Sequence, residues 1–350
     1  MNATPPATHS TPTSGAAATP VLVMGTGSIG GWLGGRLQAA GAAVHFVGRP
    51  RMLDALRRAG LTLTDLDGGC LQLPAAALRL HDRVPPGLAP GLVLLCVKSG
   101  ATAAAAAELA AALPPGTPVL SMQNGLGNAP AAQAAAPGLR VLPGMVPFNV
   151  AELGPGRLHR GTTGQLAAQD DPALRAWQPL FTRAGLPLAL HADLAPVQWG
   201  KLLLNLNNAV NALSGQPLRA QLLDRDLRAC TAALIDEALG LLARAGIRPA
   251  ALSPLPPRWL PAVLRLPTPL FRLLAARMLR IDAQARSSMA DDLALGRPTE
   301  VDAIQGEVLR LAARLGTTAP RNTRIAALVR AWTQRPRPLD GAALRAALGV

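Results

Sequence analysis

Residues 19–30 read TPVLVMGTGSIG: a short β-type run, Thr19–Met24, ends directly in Gly25-Thr-Gly27-Ser-Ile-Gly30. A helical pattern follows over 29–40 and stops at Gly41. A second strand-like run, Ala43–Val47, ends at Gly48-Arg49-Pro50-Arg51. Strand, glycine loop, helix and strand in this order are the context in which G-x-G-x-x-G marks a dinucleotide site. Gly25 permits the tight turn, Gly27 lets backbone approach a pyrophosphate, and Gly30 lets the helix pack on the strand. The first helical residues, Ser28 and Ile29, then present N–H groups to phosphate with the helix dipole behind them. The end of the second strand selects the cofactor. An NAD enzyme carries Asp or Glu there for the ribose hydroxyl, whereas Arg49 and Arg51 offer guanidinium forks suited to a 2′-phosphate. The expectation is NADPH, with Arg49 as the leading contact.

Two further apolar runs, Val93–Val97 and Val119–Met122, end at Lys98-Ser99 and at Gln123-Asn124-Gly125. The carboxyl ends of parallel strands gather ligands, so Lys98 and Asn124 are expected at the nicotinamide end. Residues 142–150 and 165–168 read as more sheet, and a helix over 172–184 and a strand over 188–191 follow. Beyond them the pattern is helical, over 194–213, 218–245, 258–280, 287–295, 299–315 and 322–333. The fold class is therefore α/β, with a doubly wound domain over 20–192 and an all-helical domain over 193–350, their cleft holding the site. Residues 1–19, Thr/Pro/Ala-rich and free of Lys and Arg, read as a disordered tail. Pro254–Pro269 is apolar and broken by prolines, a flap or connector rather than an anchor.

Composition narrows the function. The net charge of +14 invites a nucleic-acid reading, but the arginines are spread along the chain, and four Phe with no Tyr leave little to stack on bases. The absence of Tyr also excludes any mechanism built on a tyrosine acid, including the Tyr–Lys pair of short-chain dehydrogenases. The five histidines (9, 45, 81, 159 and 191) show no obvious acid–base dyad in the sequence and no metal-like spacing. Apolar runs are too short to span a bilayer, so no membrane partner is expected. Cys70, Cys96 and Cys230 are scattered, which fits a reducing cytoplasm. Of 34 basic residues only two are lysines, Lys98 and Lys201. Arginine stays charged, whereas a lysine can release its proton, so a lysine in this chain marks a place where arginine chemistry does not serve.

Lys201 lies in Trp199–Ser214, WGKLLLNLNNAVNALS, which scans as one helix. At about 100° per residue, Leu202, Leu206, Ala209, Val210 and Leu213 share an apolar face, while Lys201, Asn205 and Asn208 share a flank. Four asparagines, at about 0.5 kcal/mol each relative to Ala, are a local cost, and a flank of one amine and several amides suits a cleft better than open solvent. A second cluster runs Arg286-Ser-Ser288-Met289, Asp291-Asp292, Arg297-Pro-Thr299-Glu300. Thr299 is expected to cap the next helix, placing Glu300 in its first turn, where the dipole favours a carboxylate.

With Gly25–Gly30, Cys96-Val-Lys98, Gln123-Asn-Gly125, Trp199-Gly-Lys201 through Asn211, Ser287-Ser-Met289 and Thr299-Glu300 in this order, the chain resembles the ketopantoate reductase (2-dehydropantoate 2-reductase) family over about residues 20–335. The resemblance implies NADPH-dependent reduction of a 2-keto acid. It makes Lys201 the catalytic acid and Glu300 the carboxylate that positions lysine and substrate. Lys98 falls on the cofactor side. Asn124 serves cofactor and substrate, Asn205 is the asparagine one turn after the lysine, and Ser288 holds the substrate carboxylate. A second substrate asparagine is Asn208 or Asn211. A homodimer is compatible with this reading. The chain departs from the pattern in the length of 250–282 and at Ala285, where a polar amide is expected, so the substrate stays open. Another branched 2-keto or 2-hydroxy acid is one alternative, and a non-catalytic NADPH-binding protein is another.

Overall fold

A computed structural model describes residues 19–253, 255–276, 285–332 and 337–350. The expected tail, residue 254 of the proline-broken run, and the ends of the helices expected over 258–280 and 322–333 lie outside the described residues. Strands β1 (Val21–Met24), β2 (Val44–Val47), β3 (Leu61–Asp65), β4 (Cys70–Leu73), β5 (Arg79–His81) and β6 (Leu92–Leu95) come first. They are followed by β7 (Pro118–Ser121), β8 (Arg140–Met145), β9 (Val150–Gly154), β10 (Arg157–Arg160), β11 (Leu166–Gln169) and β12 (Leu188–His191). Eight of them form one sheet in the order β12-β11-β8-β7-β6-β1-β2-β5. From β5 to β8 the neighbours are parallel, and β11 joins β8 antiparallel. Chain order reverses between β1 and β6, so the switch point that seats ligands in such sheets opens beside the glycine loop.

Both faces of the sheet are covered. Val21 and Val23 belong to one core with Trp32, Phe46 and Phe181, and Leu22 and Met24 to another with Leu95, Ala106 and Leu109. That is why these strands read as unbroken apolar runs rather than alternating ones. The covering helices are α1 (Ser28–Ala39), α2 (Pro50–Ala59), α3 (Thr102–Ala112), α4 (Asn128–Ala135), α5 (Pro172–Arg175) and α6 (Gln178–Arg183). The segment between β2 and β6, where the pattern marks no element, holds α2, β3, β4 and β5. There β3 and β4 join β9 and β10 in a second sheet, β4-β3-β10-β9, which shares the core around Trp32 through Leu61, Leu63 and Leu158.

After His191 the chain is helical: α7 (Ala195–Asn205), α8 (Asn207–Ser214), α9 (Leu218–Leu223), α10 (Arg225–Arg244), α11 (Leu260–Arg265), α12 (Thr268–Leu274), α13 (Ser288–Ala294), α14 (Val301–Arg314), α15 (Pro320–Ala331) and α16 (Gly341–Leu348). These share one core, built on Trp199, Leu203, Leu206, Leu234, Ile235, Ile304 and Ile325. No helix among the described residues is long and apolar enough to cross a membrane. Arg228 is fully buried in this domain. Its guanidinium donates to the carbonyls of Leu222, Leu264 and Leu266 and to Thr268 Oγ1, at 2.9–3.3 Å. It also stacks 4.3 Å from the Phe271 ring centroid. One cation thus ties α10 to the proline-broken connector, whose described residues hold the short helices α11 and α12 and not the single helix expected over 258–280.

The stretch Trp199–Ser214 is likewise two helices, interrupted at Leu206. No Pro or Gly sits at the break. Buried Gln305 of α14 donates its Nε2 to the Leu206 carbonyl at 3.3 Å, and a side chain inserted into a helical ladder is a recognised cause of a break. At the start of the helix expected after Thr299, Glu300 and not Thr299 occupies the N-cap of α14, with no side-chain cap bond.

Candidate active site between the domains

The two domains meet where α7 and α14 rest on the loops that follow β6, β7 and β8. A small cleft there is lined by Gln123, Asn124, Gly125, Gly144, Met145, Val146, Gln198, Lys201 and Leu202. α14 docks closely. A Cβ on Gly125, whose φ is +87°, would lie 2.3 Å from the Ala303 carbonyl oxygen, so this position requires glycine for both conformation and space. One turn along, Glu307 accepts the Gly127 N–H at 2.7 Å. Glu300, Ala303 and Glu307 share one helix face, and that face meets the 123–128 loop.

Lys201 crosses the cleft from α7 and donates to the Pro147 carbonyl at 3.1 Å. Burial lowers its pKa to about 8, because removing an ammonium from water penalises the charged form. Lys98 crosses in the other direction. Its ammonium pairs with Asp292 of α13 and reaches the Pro298 carbonyl at 3.5 Å. Burial raises the Asp292 carboxyl pKa, with the Lys98 contact opposing that shift.

The structure does not join Glu300 to Lys201. One Glu300 oxygen accepts from Ser99 Oγ at 2.9 Å and from the Ser99 N–H at 3.3 Å, and the other accepts from Asn124 Nδ2 at 2.9 Å. Docking of α14 on the 123–128 loop brings the carboxylate to those donors, and Asn124 links the two groups indirectly. Its Oδ1 accepts from Asn205 at 3.3 Å, and Asn205 stands one turn after Lys201.

The asparagines separate by their partners. Asn207 exchanges hydrogen bonds with Gln221 and accepts from Thr231, and Asn211, fully buried, takes the Ser287 N–H and donates to the Gln216 carbonyl. Both are committed to the framework. Asn208 is part-exposed; its backbone carbonyl accepts from Ser287 Oγ at 3.2 Å, which sets α13 against α8. Ser287 also caps α13 through the Ala290 N–H, leaving Ser288 exposed.

The glycine loop is crowded at Gly25 and Gly30 and open at Gly27. Gly25 has φ +106°, and a Cβ there would come within 2.6 Å of the Val97 nitrogen. A Cβ on Gly30 would strike the Gly25 carbonyl oxygen at 2.1 Å, whereas one on Gly27 meets nothing within 4 Å. No side chain caps α1, so the first-turn N–H groups of Ser28, Ile29 and Gly30 are available to an anion. At the end of β2, Arg49 is exposed without an ion pair among the described residues. Arg51, by contrast, is bound by Glu152 at 3.1 Å.

Sequence reasoning missed Ser99, Asp292 and Gln198. Ser99 adjoins Lys98 at a strand end, and Asp292 lies four residues after Ser288 on the same helix face, so each carried a positional signal. Gln198 carried one in its spacing, three before Lys201.

Two family models match the chain: "Ketopantoate reductase PanE/ApbA" over residues 21–172 and "Ketopantoate reductase PanE/ApbA C terminal" over 193–333. The 2-dehydropantoate 2-reductase of Halobacterium salinarum is 30% identical, the match covering 89% of this chain and 97% of that one. The Pyrococcus horikoshii protein of the same name is 26% identical, with 89% and 96% covered. Among solved structures, a ketopantoate reductase of this family from Ralstonia eutropha superposes with a TM-score of 0.76 at 26% identity, over 91% of this chain and 99% of that one. A D-mandelate dehydrogenase solved with NADH and anilino(oxo)acetate shares the fold, with a TM-score of 0.73 at 18% identity and 90% and 99% covered. So does a dimeric ketopantoate reductase from Staphylococcus aureus, with a TM-score of 0.68 at 19% identity and 91% and 100% covered. The order of motifs, the two-domain architecture and matches to both halves agree: the chain belongs to the ketopantoate reductase family.

Proposed function

We propose that the protein reduces 2-dehydropantoate (ketopantoate) to pantoate with NADPH, the step that supplies pantothenate and coenzyme A biosynthesis, with Lys201 as general acid. The observation that carries this reading is the half-buried Lys201 ammonium, which lines the cleft with Asn124 and Gln198 and whose pKa is lowered to about 8. Such a group remains an ammonium at neutral pH, by about ten to one, yet releases its proton far more readily than an ordinary lysine.

The residues fit a dinucleotide phosphate. The open side of Gly27 and the uncapped start of α1 suit a pyrophosphate, and Arg49 suits a 2′-phosphate. Lys98, at the end of β6, is placed for the nicotinamide half once it exchanges Asp292 for cofactor. Bound cofactor supplies the hydride that reduces the keto carbon. Lys201 donates a hydrogen bond to the carbonyl oxygen, stabilises the charge that develops there and passes it a proton. Glu300 and Asn124, joined to each other and through Asn205 to the lysine's helix, orient the substrate. Asn208 and Ser288 present an amide and a hydroxyl for its carboxylate and hydroxyl ends. The same reading assigns residues 20–192 to the cofactor and 193–350 to the substrate.

Optical measurement of NADPH oxidation across a panel of 2-keto acids tests the proposal. Ketopantoate is expected to give the highest kcat/KM. A higher value for another branched 2-keto acid would reassign the substrate, and tight NADPH binding without turnover on any member of the panel would overturn the enzymatic reading.

A further inference from the structure

The Glu300 carboxylate lies at the end of a hydrogen-bonded chain that begins on the opposite domain. Ser121 Oγ donates to Gln123 Oε1 at 2.9 Å, and Gln123 Nε2 donates to Thr102 Oγ1 at 2.7 Å. Thr102 Oγ1 donates to Asn128 Oδ1 at 3.0 Å, Asn128 Nδ2 to Ser99 Oγ at 3.2 Å, and Ser99 Oγ to Glu300 Oε1 at 2.9 Å. The backbone fixes the polarity at two points. Gln123 Nε2 also reaches the Val97 carbonyl at 2.8 Å, and Asn128 Nδ2 the Asn124 carbonyl at 2.5 Å. A carbonyl only accepts, so the nitrogen of each amide is identified. A hydroxyl has one proton. Thr102, accepting from Gln123, commits its proton to Asn128; Ser99, accepting from Asn128, commits its own to Glu300. Ser121, Gln123, Thr102 and Asn128 are all buried, where such bonds are strengthened by the low dielectric and by one another.

Glu300 itself sits at the N-cap of α14, and its carboxylate makes no bond to its own helix. Its other donor, Asn124, lines the cleft. Ser99 lies outside that lining, and Asn128 holds it from behind. We propose that Ser99, oriented by Asn128, is the positioning residue for the Glu300 carboxylate during keto-acid reduction; this rests on the function proposed above.

The test compares Ser99→Ala, Asn128→Asp and Ser99→Thr with the wild-type protein. Steady-state kinetics, NADPH affinity and urea unfolding are measured on each, and Ser99→Ala is combined with Glu300→Ala in a double-mutant cycle. Ser99→Ala is expected to lower kcat about tenfold or more, the scale of a misplaced catalytic group, with the NADPH Kd unchanged within about twofold. Asn128→Asp is expected to match it, because the new carboxylate draws the Ser99 proton away from Glu300, and Ser99→Thr is expected to restore turnover. In the cycle, Ser99→Ala should add little once Glu300 is absent, in both kcat and unfolding. Additive effects, or a kcat loss that Ser99→Thr leaves unrepaired, would overturn the proposal. If the wild-type protein reduces no 2-keto acid, the functional reading fails; coupling in the unfolding cycle would still uphold the hold of Ser99 on Glu300, and additivity there would overturn that too.

Discussion

Replacing Lys201 by Met separates what the ammonium does for chemistry from what it costs the fold. Burial moves the lysine from its ordinary value of 10.5 to about 8. At about 1.4 kcal/mol per unit, the charged form is penalised by about 3 kcal/mol in the folded state. Methionine has a similar volume and carries no such penalty, but it gives up the hydrogen bond to Pro147, a loss of about 1 kcal/mol. Lys201→Met should therefore leave the ligand-free protein at least as stable as wild type at pH 7, with a melting temperature unchanged or higher by a few degrees. Turnover should nevertheless fall by about two to four orders of magnitude, the range for loss of a general acid. Linkage supplies a second readout. Between pH 8 and 10.5 the unfolded chain binds the lysine proton and the folded protein has released it, so wild-type stability rises with pH through that window relative to Lys201→Met. In the reduction direction, wild-type kcat should decline above about pH 8. Calorimetry with a pH–rate profile decides the matter. Turnover within tenfold of wild type, or a kcat profile flat through pH 8, would refute the assignment.

Other substitutions probe the rest of the frame. Arg49→Ala should reduce the preference for NADPH over NADH by about tenfold or more, the scale of a lost charge-assisted contact, read as a ratio of specificity constants. Gly125→Ala sets a Cβ against the Ala303 carbonyl at a positive φ; it should loosen the domain contact, lowering both the melting temperature and kcat. Arg228→Met should cost about 3 kcal/mol or more in urea unfolding, because three backbone carbonyls lose their donor in a buried site.

The glycine loop and its flanking strands were legible because a dinucleotide turn imposes fixed spacing on few residues. The two lysines stood out because the chain otherwise uses arginine. The second sheet was not legible. Its strands are four or five residues long, and β4 and β9 are half exposed, so the short alternation of β3 has no matching signal in its partners. The break at Leu206 left no local trace, since the residue responsible, Gln305, is 99 positions away. The partners of Glu300 were hidden for a related reason. A carboxylate at a helix start looks the same whether it faces a lysine or a serine, and only the docking of α14 on the 123–128 loop decides between them. Proximity in the fold likewise settles which asparagines serve the framework, because the pairs Asn207–Gln221 and Asn211–Ser287 are made across separate helices.

The reciprocal reach of the two lysines has a practical consequence. Lys98 extends from the sheet domain to Asp292, Lys201 extends from the helical domain to Pro147, and there is no third lysine in the chain. Apart from the chain's α-amino terminus, every primary amine is therefore an interdomain contact. A small amine-directed label, applied to a protein with hundreds of residues, becomes a gauge of how far the two halves have parted. Slow, cofactor-suppressed labelling would mark a closed cleft, and rapid labelling of both sites would mark an open one, without any engineered probe.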